Sequence, residues 1–207
     1  MDLKTIITQR KTQKVLGDIK NHLAQSTTNY DVKEWLEVAA MAPFHYPSPE
    51  FQRTELASIL PWRTYVLDAN ACRKLLSFFE EQKIDSGKIG QMLACCDYLV
   101  QVTWLPETNH QEELFEGNIK NMEHIAAASA FIQNLLLLAT ENETPNYWSS
   151  GGDLRRDVVN EYLQIPSSQI LLGSVFLFPE EVENAQIVGG AWREKREGLE
   201  TWSTFRK

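Results

Sequence analysis

The most apolar stretch of the chain runs from Ile125 to Ala139 and reads IAAASAFIQNLLLLA. Its 15 residues are interrupted by Ser129, Gln133 and Asn134. A bilayer span needs roughly 18 or more apolar residues, so this stretch does not predict a transmembrane helix. We expect a helix that is buried on most sides, in the core or at a subunit interface.

The rest of the chain contains enough apolar material to surround such a helix. Hydrophobic residues make up 43% of the 207 residues, and the aromatic residues are six tryptophans, six tyrosines and nine phenylalanines. A disordered chain lacks such a composition, and a core of this size needs no disulfide or metal to stabilise it. We found no internal repeat and no linker, so residues 1–207 are expected to form a single domain.

Apolar spacing predicts several helices with strands scattered between them. The predicted helices are an opening helix that ends near Arg10, Val32–Met41, Ala71–Gln82, Lys88–Cys96, Asn118–Glu141 and Asp153–Leu163. The predicted strands are Arg63–Leu67, Tyr98–Leu105 and Ile170–Phe178. This order of elements indicates an α+β fold.

Charge is distributed unevenly along the chain. The net charge is −8 and the isoelectric point is about 5.1, which disfavours general binding to nucleic acid. Residues 1–20 nevertheless carry +3 and residues 189–207 carry +2, so the residues between them carry −13. Two basic ends that meet in space form an anion site, whereas two ends that stay apart are only solvated termini.

The three cysteines are Cys72, Cys95 and Cys96. An odd number without a CxxC pair or a paired Cys/His spacing predicts neither a disulfide scaffold nor a zinc site, and no metal is expected. Unpaired thiols suit a reducing cytoplasm, and the N-terminal residues lack the apolar run of a secretory signal. We therefore expect a cytoplasmic protein.

Two segments carry the side chains that suit a phosphate-bearing, planar ligand. In the segment QRKTQK, Arg10 can hold a phosphate with two N–H groups, while Thr12 adds a hydroxyl and Lys14 a point charge. In WSSGG, residues 148–152, the absence of bulky side chains lets backbone N–H groups approach a ligand closely. Each segment is also typical of an ordinary exposed turn.

The order of these segments resembles that of the nitroreductase family. QRKTQK is similar to the family's opening R-[RH]-S-x-[RK] motif, and EWLEVAAMAPFHY to its helix-to-loop segment in an APFH form. The further similar segments, in chain order, are LPWRTYVLDANACRKLL, EHIAAASAFIQNLLLLATENETPNYWSSGG, YLQIPSSQILLGSVFLF and REKREGLETW. The matches run nearly from end to end of the chain.

The resemblance implies an intertwined homodimer with a central, mostly antiparallel sheet flanked by helices, and FMN bound at the dimer interface. Arg10, Lys11 and Thr12 would hold the phosphate and ribityl chain, with Arg196 or Lys195 also reaching the phosphate. Lys14 would lie near the N1/O2 edge of the flavin ring. The residues that would pack on the ring or face its N5/O4 side are Pro43, Phe44 and His45 of the other subunit, and Ser149, Ser150 and Gly151.

The resemblance also implies an activity. FMN would pass electrons from NAD(P)H to an electron-poor small molecule, such as a nitroaromatic or a quinone, in a ping-pong reaction. No catalytic protein side chain is needed, because the flavin carries the chemistry. His45 would either contact the flavin or substrate or hold the backbone of its own loop.

The chain also departs from the family pattern. The usual Asn-x-Gln before Pro-Trp is absent, Leu60 stands where Gln is expected, and a segment from Pro47 to Leu60 intervenes. These departures motivate a second hypothesis, a flavin-binding or flavin-less relative that acts as a non-catalytic ligand-binding module. A third is a specialised flavoenzyme whose acceptor is selected by residues 44–60 and 106–117.

Overall fold

The computed structural model describes residues 2–20, 30–53, 56–108, 115–182 and 184–206. The helices within these ranges are α1 (Leu3–Gln9), α2 (Val32–Ala39), α3 (Ala69–Glu81), α4 (Gly87–Leu93), α5 (Ile119–Glu141) and α6 (Asp157–Tyr162). The strands are β1 (Gln13–Leu16), β2 (Trp62–Asp68), β3 (Tyr98–Trp104), β4 (Asn146–Ser149), β5 (Ile170–Leu177) and β6 (Gln186–Gly189). The predicted α+β class is confirmed.

A four-stranded sheet in the order β2-β3-β5-β4 forms the centre of the fold, and every pairing in it is antiparallel. Val100 lies opposite Val66 on one side and Val175 on the other, which fixes the register of the three longest strands. The register shifts between Val102 and Thr103, where Gly173 faces Val102. The predicted antiparallel sheet between helices is therefore confirmed.

Helix α5 packs on one face of this sheet and is the core helix that its composition predicted. Its N-terminal turn is capped by Asn118, whose Oδ1 accepts a hydrogen bond from the Asn121 N–H at 2.9 Å. Phe131 stacks on Trp62 of β2 with ring centroids 5.4 Å apart. In the part of the chain that the structure describes, α5 is the one helix long and apolar enough to cross a membrane, but its buried residues join α2 and the sheet in one hydrophobic cluster, as expected for a core helix.

The other face of the sheet is covered by α3 and α4, and this layer contains the three thiols. Cys72, Cys95 and Cys96 are free and buried, as expected for structural cysteines. Burial raises the pKa of the Cys95 thiol to about 12, because a buried thiolate loses its hydration. Cys95 is therefore an uncharged packing group at neutral pH.

Three strands and one helix break were not predicted from the sequence. β1, β4 and β6 have four residues each, which is too short for an alternating pattern to show. The predicted helix Asp153–Leu163 is divided into a 3₁₀ turn, Gly152–Arg155, and α6. The division occurs because Arg156 adopts an extended conformation, with φ −67° and ψ 141°.

Candidate functional site

The two basic ends of the chain meet. β1 and β6 pair antiparallel as a separate two-stranded sheet, in which Lys14 lies opposite Val188. Beyond β6, the Arg193 guanidinium donates hydrogen bonds to the main-chain carbonyls of Thr8 and Arg10. Of the two arrangements considered for the termini, the structure therefore supports the one that forms an anion site.

A cavity of about 300 Å³ lies where the two ends meet. Its charged lining consists of four cations and one carboxylate: Arg10, Lys11, Arg193, Arg196 and Glu194. Partial burial lowers the pKa of Arg10, and the neighbouring charges of Arg193 and Arg196 lower it further. A bound anion would relieve this repulsion, so the cavity is electrostatically suited to one.

Thr12 completes the cavity lining next to a close backbone approach. A Cβ atom added to Gly190 would lie 3.0 Å from Thr12 Cβ and 3.2 Å from its Oγ1. The glycine thus allows the C-terminal segment to lie directly against Thr12. Guanidinium, ammonium and hydroxyl donors around one small cavity fit a phosphate group, and the volume lies near the lower end of the range for small-molecule sites, about 300–1,000 Å³.

Lys14 lies on β1 beside the strand that leads into the glycine-rich turn. Its Nζ is 4.9 Å from the centroid of the Tyr147 ring, and Tyr147 belongs to β4. β4 ends at Ser149, directly before Ser150 and Gly151. The fold therefore brings Lys14 to the strand that carries the second predicted ligand-binding segment.

The turn after β4 adopts a conformation that requires glycine. Gly151 has φ +110° and Gly152 has φ +54°, and both values lie in the region that side chains with a Cβ rarely adopt. Ser149 is buried and its Oγ accepts a hydrogen bond from the Gly151 N–H at 3.2 Å, while Ser150 is exposed. Contacts within the chain therefore hold this turn.

Arg155 holds this turn in place, which sequence reasoning missed. Its Nε donates to the Ser150 carbonyl, Nη1 to the Leu171 carbonyl at 2.6 Å, and Nη2 to the Leu172 carbonyl at 3.1 Å. Partial burial lowers the pKa of the guanidinium. In the sequence, Arg155 is recognisable only as an arginine shortly after a glycine pair. Its residue type does not indicate that it binds main-chain carbonyls, two of which lie on β5.

Of the remaining predicted ligand-binding residues, Arg196 lies at the basic cavity and the others lie outside its lining. Pro43, Phe44 and His45 are exposed in the loop after α2, where the Phe44 ring meets Trp62 edge-on at 6.3 Å. Arg196 lines the basic cavity, whereas Lys195 places its Nζ 4.8 Å from the Trp192 ring centroid. The role of the loop residues depends on a second subunit and stays a prediction.

Arg63 holds the described part of the segment Pro47–Leu60, which departs from the family pattern. The Arg63 side chain lies almost entirely out of solvent and donates to the Leu60 and Trp62 carbonyls, each at 2.8 Å. The family pattern has a glutamine at position 60. In this chain the residue is Leu60, and its main-chain carbonyl holds Arg63. Among the described residues, no group of three or more His, Cys, Asp and Glu side chains is placed to hold a metal ion.

No protein-family model matches the chain, and no curated protein sequence matches it. Solved structures do match. A nitroreductase-like family protein from Bacillus cereus superposes with a TM-score of 0.61 and 22% identity, over 97% of each chain. The chain has the nitroreductase fold.

Two further nitroreductase-fold structures agree with this assignment at lower identity. A nitroreductase-type protein from Desulfovibrio desulfuricans, solved in complex with FMN, has a TM-score of 0.57 and 16% identity over 87% of this chain and 88% of its own. A variant of the FMN- and NADPH-dependent nitroreductase NfnB from Sphigopyxis sp. strain HMH has a TM-score of 0.59 and 11% identity over 100% and 99%. The predicted fold is confirmed, whereas the APFH form of the loop stays a prediction.

Proposed function

We propose that this nitroreductase-fold protein is an FMN-dependent oxidoreductase that transfers electrons from NAD(P)H to an electron-poor small molecule, such as a nitroaromatic or a quinone. The observation that carries the proposal is the basic cavity formed by the two chain ends on this fold. FMN and NADPH are associated with similar structures, one solved with FMN and one described as FMN- and NADPH-dependent. We expect the protein to work in the cytoplasm, where its free thiols stay reduced.

The residues of the basic cavity would bind the FMN phosphate. Arg10 offers a planar set of donors that matches two phosphate oxygens, and Lys11 and Thr12 add an ammonium and a hydroxyl from the same turn. Arg196 would approach from the other chain end. Arg193 is already committed to two main-chain carbonyls, so it would mainly hold the two ends together.

Lys14, Ser150 and Gly151 would contact the ring. When bound, FMN supplies the two-electron chemistry that links NAD(P)H to the acceptor. The positive charge of Lys14 beside the pyrimidine edge would favour the added negative charge of the reduced ring. The turn would place Ser150 and Gly151 at the ring edge, since Arg155 fixes its position through the Ser150 and Leu171 carbonyls.

We also propose a homodimer. Large apolar side chains are exposed at both ends of the chain and at the start of α5: Leu3, Ile7, Ile119, Met122, Trp192, Trp202 and Phe205. Exposed apolar groups in this number favour association. In a dimer, Pro43, Phe44 and His45 of one subunit would pack on the ring held by the other. Analytical ultracentrifugation should give twice the chain mass of 23.8 kDa, and a monomer at micromolar concentration would contradict it.

The phosphate assignment is tested by comparing FMN with riboflavin, which lacks only the phosphate. We expect the protein to quench flavin fluorescence with higher affinity for FMN than for riboflavin. Arg10→Gln should lower FMN affinity by about tenfold or more and leave riboflavin affinity unchanged, because a charged hydrogen bond to phosphate contributes about 1.5–3 kcal/mol. Lys74→Gln is the matched control, since Lys74 is exposed on α3.

Protein that neither binds FMN nor melts at a higher temperature in its presence would contradict the proposal. The alternative is a non-catalytic ligand-binding module, favoured by the Leu60 carbonyl's role in holding Arg63. Stopped-flow mixing of the FMN-loaded protein with NADH and NADPH separates the two. Rapid bleaching of flavin absorbance, followed by reoxidation with a nitroaromatic or quinone, supports the enzyme, whereas bound flavin that neither nucleotide reduces supports the module.

A further inference from the structure

The segment from Pro47 to Leu60 is built around one buried guanidinium. Arg63 is 5% exposed, and its hydrogen-bond partners are all main-chain carbonyls. Besides those of Leu60 and Trp62, it reaches the carbonyls of Ser58 at 3.0 Å, Leu56 at 3.2 Å and Gln52 at 3.5 Å. One rigid fork of donors thereby holds residues 52, 56, 58 and 60 of the segment.

A second set of contacts ties the same segment to the body of the protein. The Gln52 side chain is buried, and its Nε2 donates to the Ser168 carbonyl at 2.7 Å. In return, the Ser168 hydroxyl donates to Gln52 Oε1 at 3.0 Å. The Ser48 N–H donates to the Ile59 carbonyl at 2.8 Å, which closes the segment on itself. The described part of this segment is thus a preformed wall.

The facing wall is formed by the residues around the start of α5. Asn121 is buried and bridges to Glu107, accepting from its N–H at 2.8 Å and donating to its carbonyl at 2.9 Å. Lys120 forms an ion pair with Glu107 at 2.6 Å. These contacts fix residues 107 and 120 relative to each other.

A cavity of about 370 Å³ lies between the two walls, and it is separate in its lining from the basic cavity at the chain ends. Its apolar lining includes Tyr46, Pro47 and Phe51, and the Phe51 side chain is 54% exposed. An aromatic ring so exposed within a cavity can stack on a planar ligand. The size fits a small aromatic molecule.

Arg53 is the cation of this cavity that can hold an anion, although the charges of its lining are balanced overall. Lys120 and Glu107 neutralise each other. Arg53 also lines the cavity, and its hydrogen bonds go to the neutral carbonyl and hydroxyl of Ser48. Among the residues that the structure describes, neither Arg53 nor Arg63 has a carboxylate within ion-pair distance, so neither guanidinium is held in an ion pair. The Glu50 carboxylate opposes them from one side.

We propose that the cavity between residues 46–53 on one side and residues 107, 108 and 120 on the other binds a small aromatic carboxylate, with Arg53 holding the carboxylate and Phe51 and Tyr46 contacting the ring. Binding at this site does not require the flavin. Its further consequence, that the protein prefers anionic aromatic acceptors, rests on the proposed function.

The test compares 4-nitrobenzoate with its neutral isostere 4-nitrobenzamide, using calorimetry and the Nε–Hε NMR signal of Arg53 in the full-length protein. The carboxylate should bind about tenfold more tightly than the amide and shift the Arg53 signal. Arg53→Gln should abolish this preference. Glu50→Gln should raise carboxylate affinity by about threefold, a gain that a loosened segment does not produce. Lys74→Gln should change neither.

Equal affinity for the two probes, or a preference that survives in Arg53→Gln, would overturn the site. So would a preference that disappears in Arg10→Gln, because the carboxylate would then occupy the basic cavity. Carboxylate binding in protein that takes up no FMN would support this site while contradicting the proposed oxidoreductase, so the two failures are distinguishable. With turnover established, Glu50→Gln should lower KM for 4-nitrobenzoate and leave KM for the amide unchanged.

Discussion

Replacing Gly151 by alanine tests the turn on which the proposed flavin contacts depend. Gly151 has φ +110° and ψ −42°, a conformation that a residue with a Cβ adopts only under strain. The added Cβ would lie 3.0 Å from Leu171 Cδ2, 3.1 Å from Arg155 Cγ and 3.2 Å from Arg155 Nε. The substitution therefore strains the backbone and crowds the arginine that holds the turn.

The expected loss in the free energy of unfolding follows from the backbone strain, the restriction of the unfolded chain and the crowding of side chains. Backbone strain of this kind costs about 1–3 kcal/mol. Alanine also restricts the unfolded chain, which offsets about 0.4–1 kcal/mol. Of the crowded atoms, Leu171 Cδ2 is the end of a side chain and can move by a few tenths of an ångström, whereas Arg155 Cγ and Nε are held by the hydrogen bonds of the guanidinium. We expect Gly151→Ala to lower the free energy of unfolding by about 1–2 kcal/mol.

Urea denaturation followed by far-UV circular dichroism measures this loss, and FMN titration of the same protein measures its effect on binding. Gly117→Ala is the matched control, because a Cβ there meets no atom within 4 Å and its φ lies outside the left-handed region. Gly151→Ala should be less stable than the control and bind FMN less tightly. If the two variants had equal stability, the strain assigned to the turn would be refuted.

Three further predictions concern side chains around the turn and in the core. Arg155→Met should lower the free energy of unfolding by about 1–2 kcal/mol and weaken FMN binding, because three hydrogen bonds to carbonyls are lost. Arg155→Lys should show the same losses in the same assays, because an ammonium cannot reach three carbonyls at once. Gly173→Ala should cost about 1–3 kcal/mol in urea denaturation and shift tryptophan emission, because its Cβ would collide with the Trp148 indole. Stability should fall as pH rises from about 9 towards 12, because the folded protein keeps the Cys95 proton that the unfolded chain releases. Cys95→Ala should show a smaller fall in urea denaturation at pH 8 and pH 10.5, and equal slopes would contradict the raised pKa.

The sequence predicted the elements that are long and apolar. β3 and β5 are buried along most of their length, and α5 contains the longest apolar stretch, so their composition alone distinguishes them from the surface. The basic segments at the two chain ends were also recognisable as a candidate anion site from charge alone, although their meeting was one of two open possibilities. The two ends meet through the pairing of β1 with β6. These strands have four residues each, which is too short for an alternating apolar pattern to show.

Other features depend on tertiary contacts that the residue types do not predict. Trp148 is 36% exposed and lies over Gly173, where the missing side chain leaves room for the indole. Arg155 and Arg63 could not be assigned roles, because both bind main-chain carbonyls, and any residue offers a carbonyl. Only the folded path of the chain shows which carbonyls converge on a guanidinium.

This use of arginine has an electrostatic consequence for the whole protein. Arg63, Arg73, Arg155 and Arg193 all donate to main-chain carbonyls, while the described ranges contain only two ion pairs, Lys120–Glu107 and Arg156–Asp153. A carbonyl orients a guanidinium without cancelling its charge, whereas a carboxylate does both. Arg193, which joins the chain ends in this way, therefore leaves its positive charge at the basic cavity, although the chain carries a net charge of −8. An acidic protein can thus keep local sites for anionic ligands while its remaining surface repels polyanions.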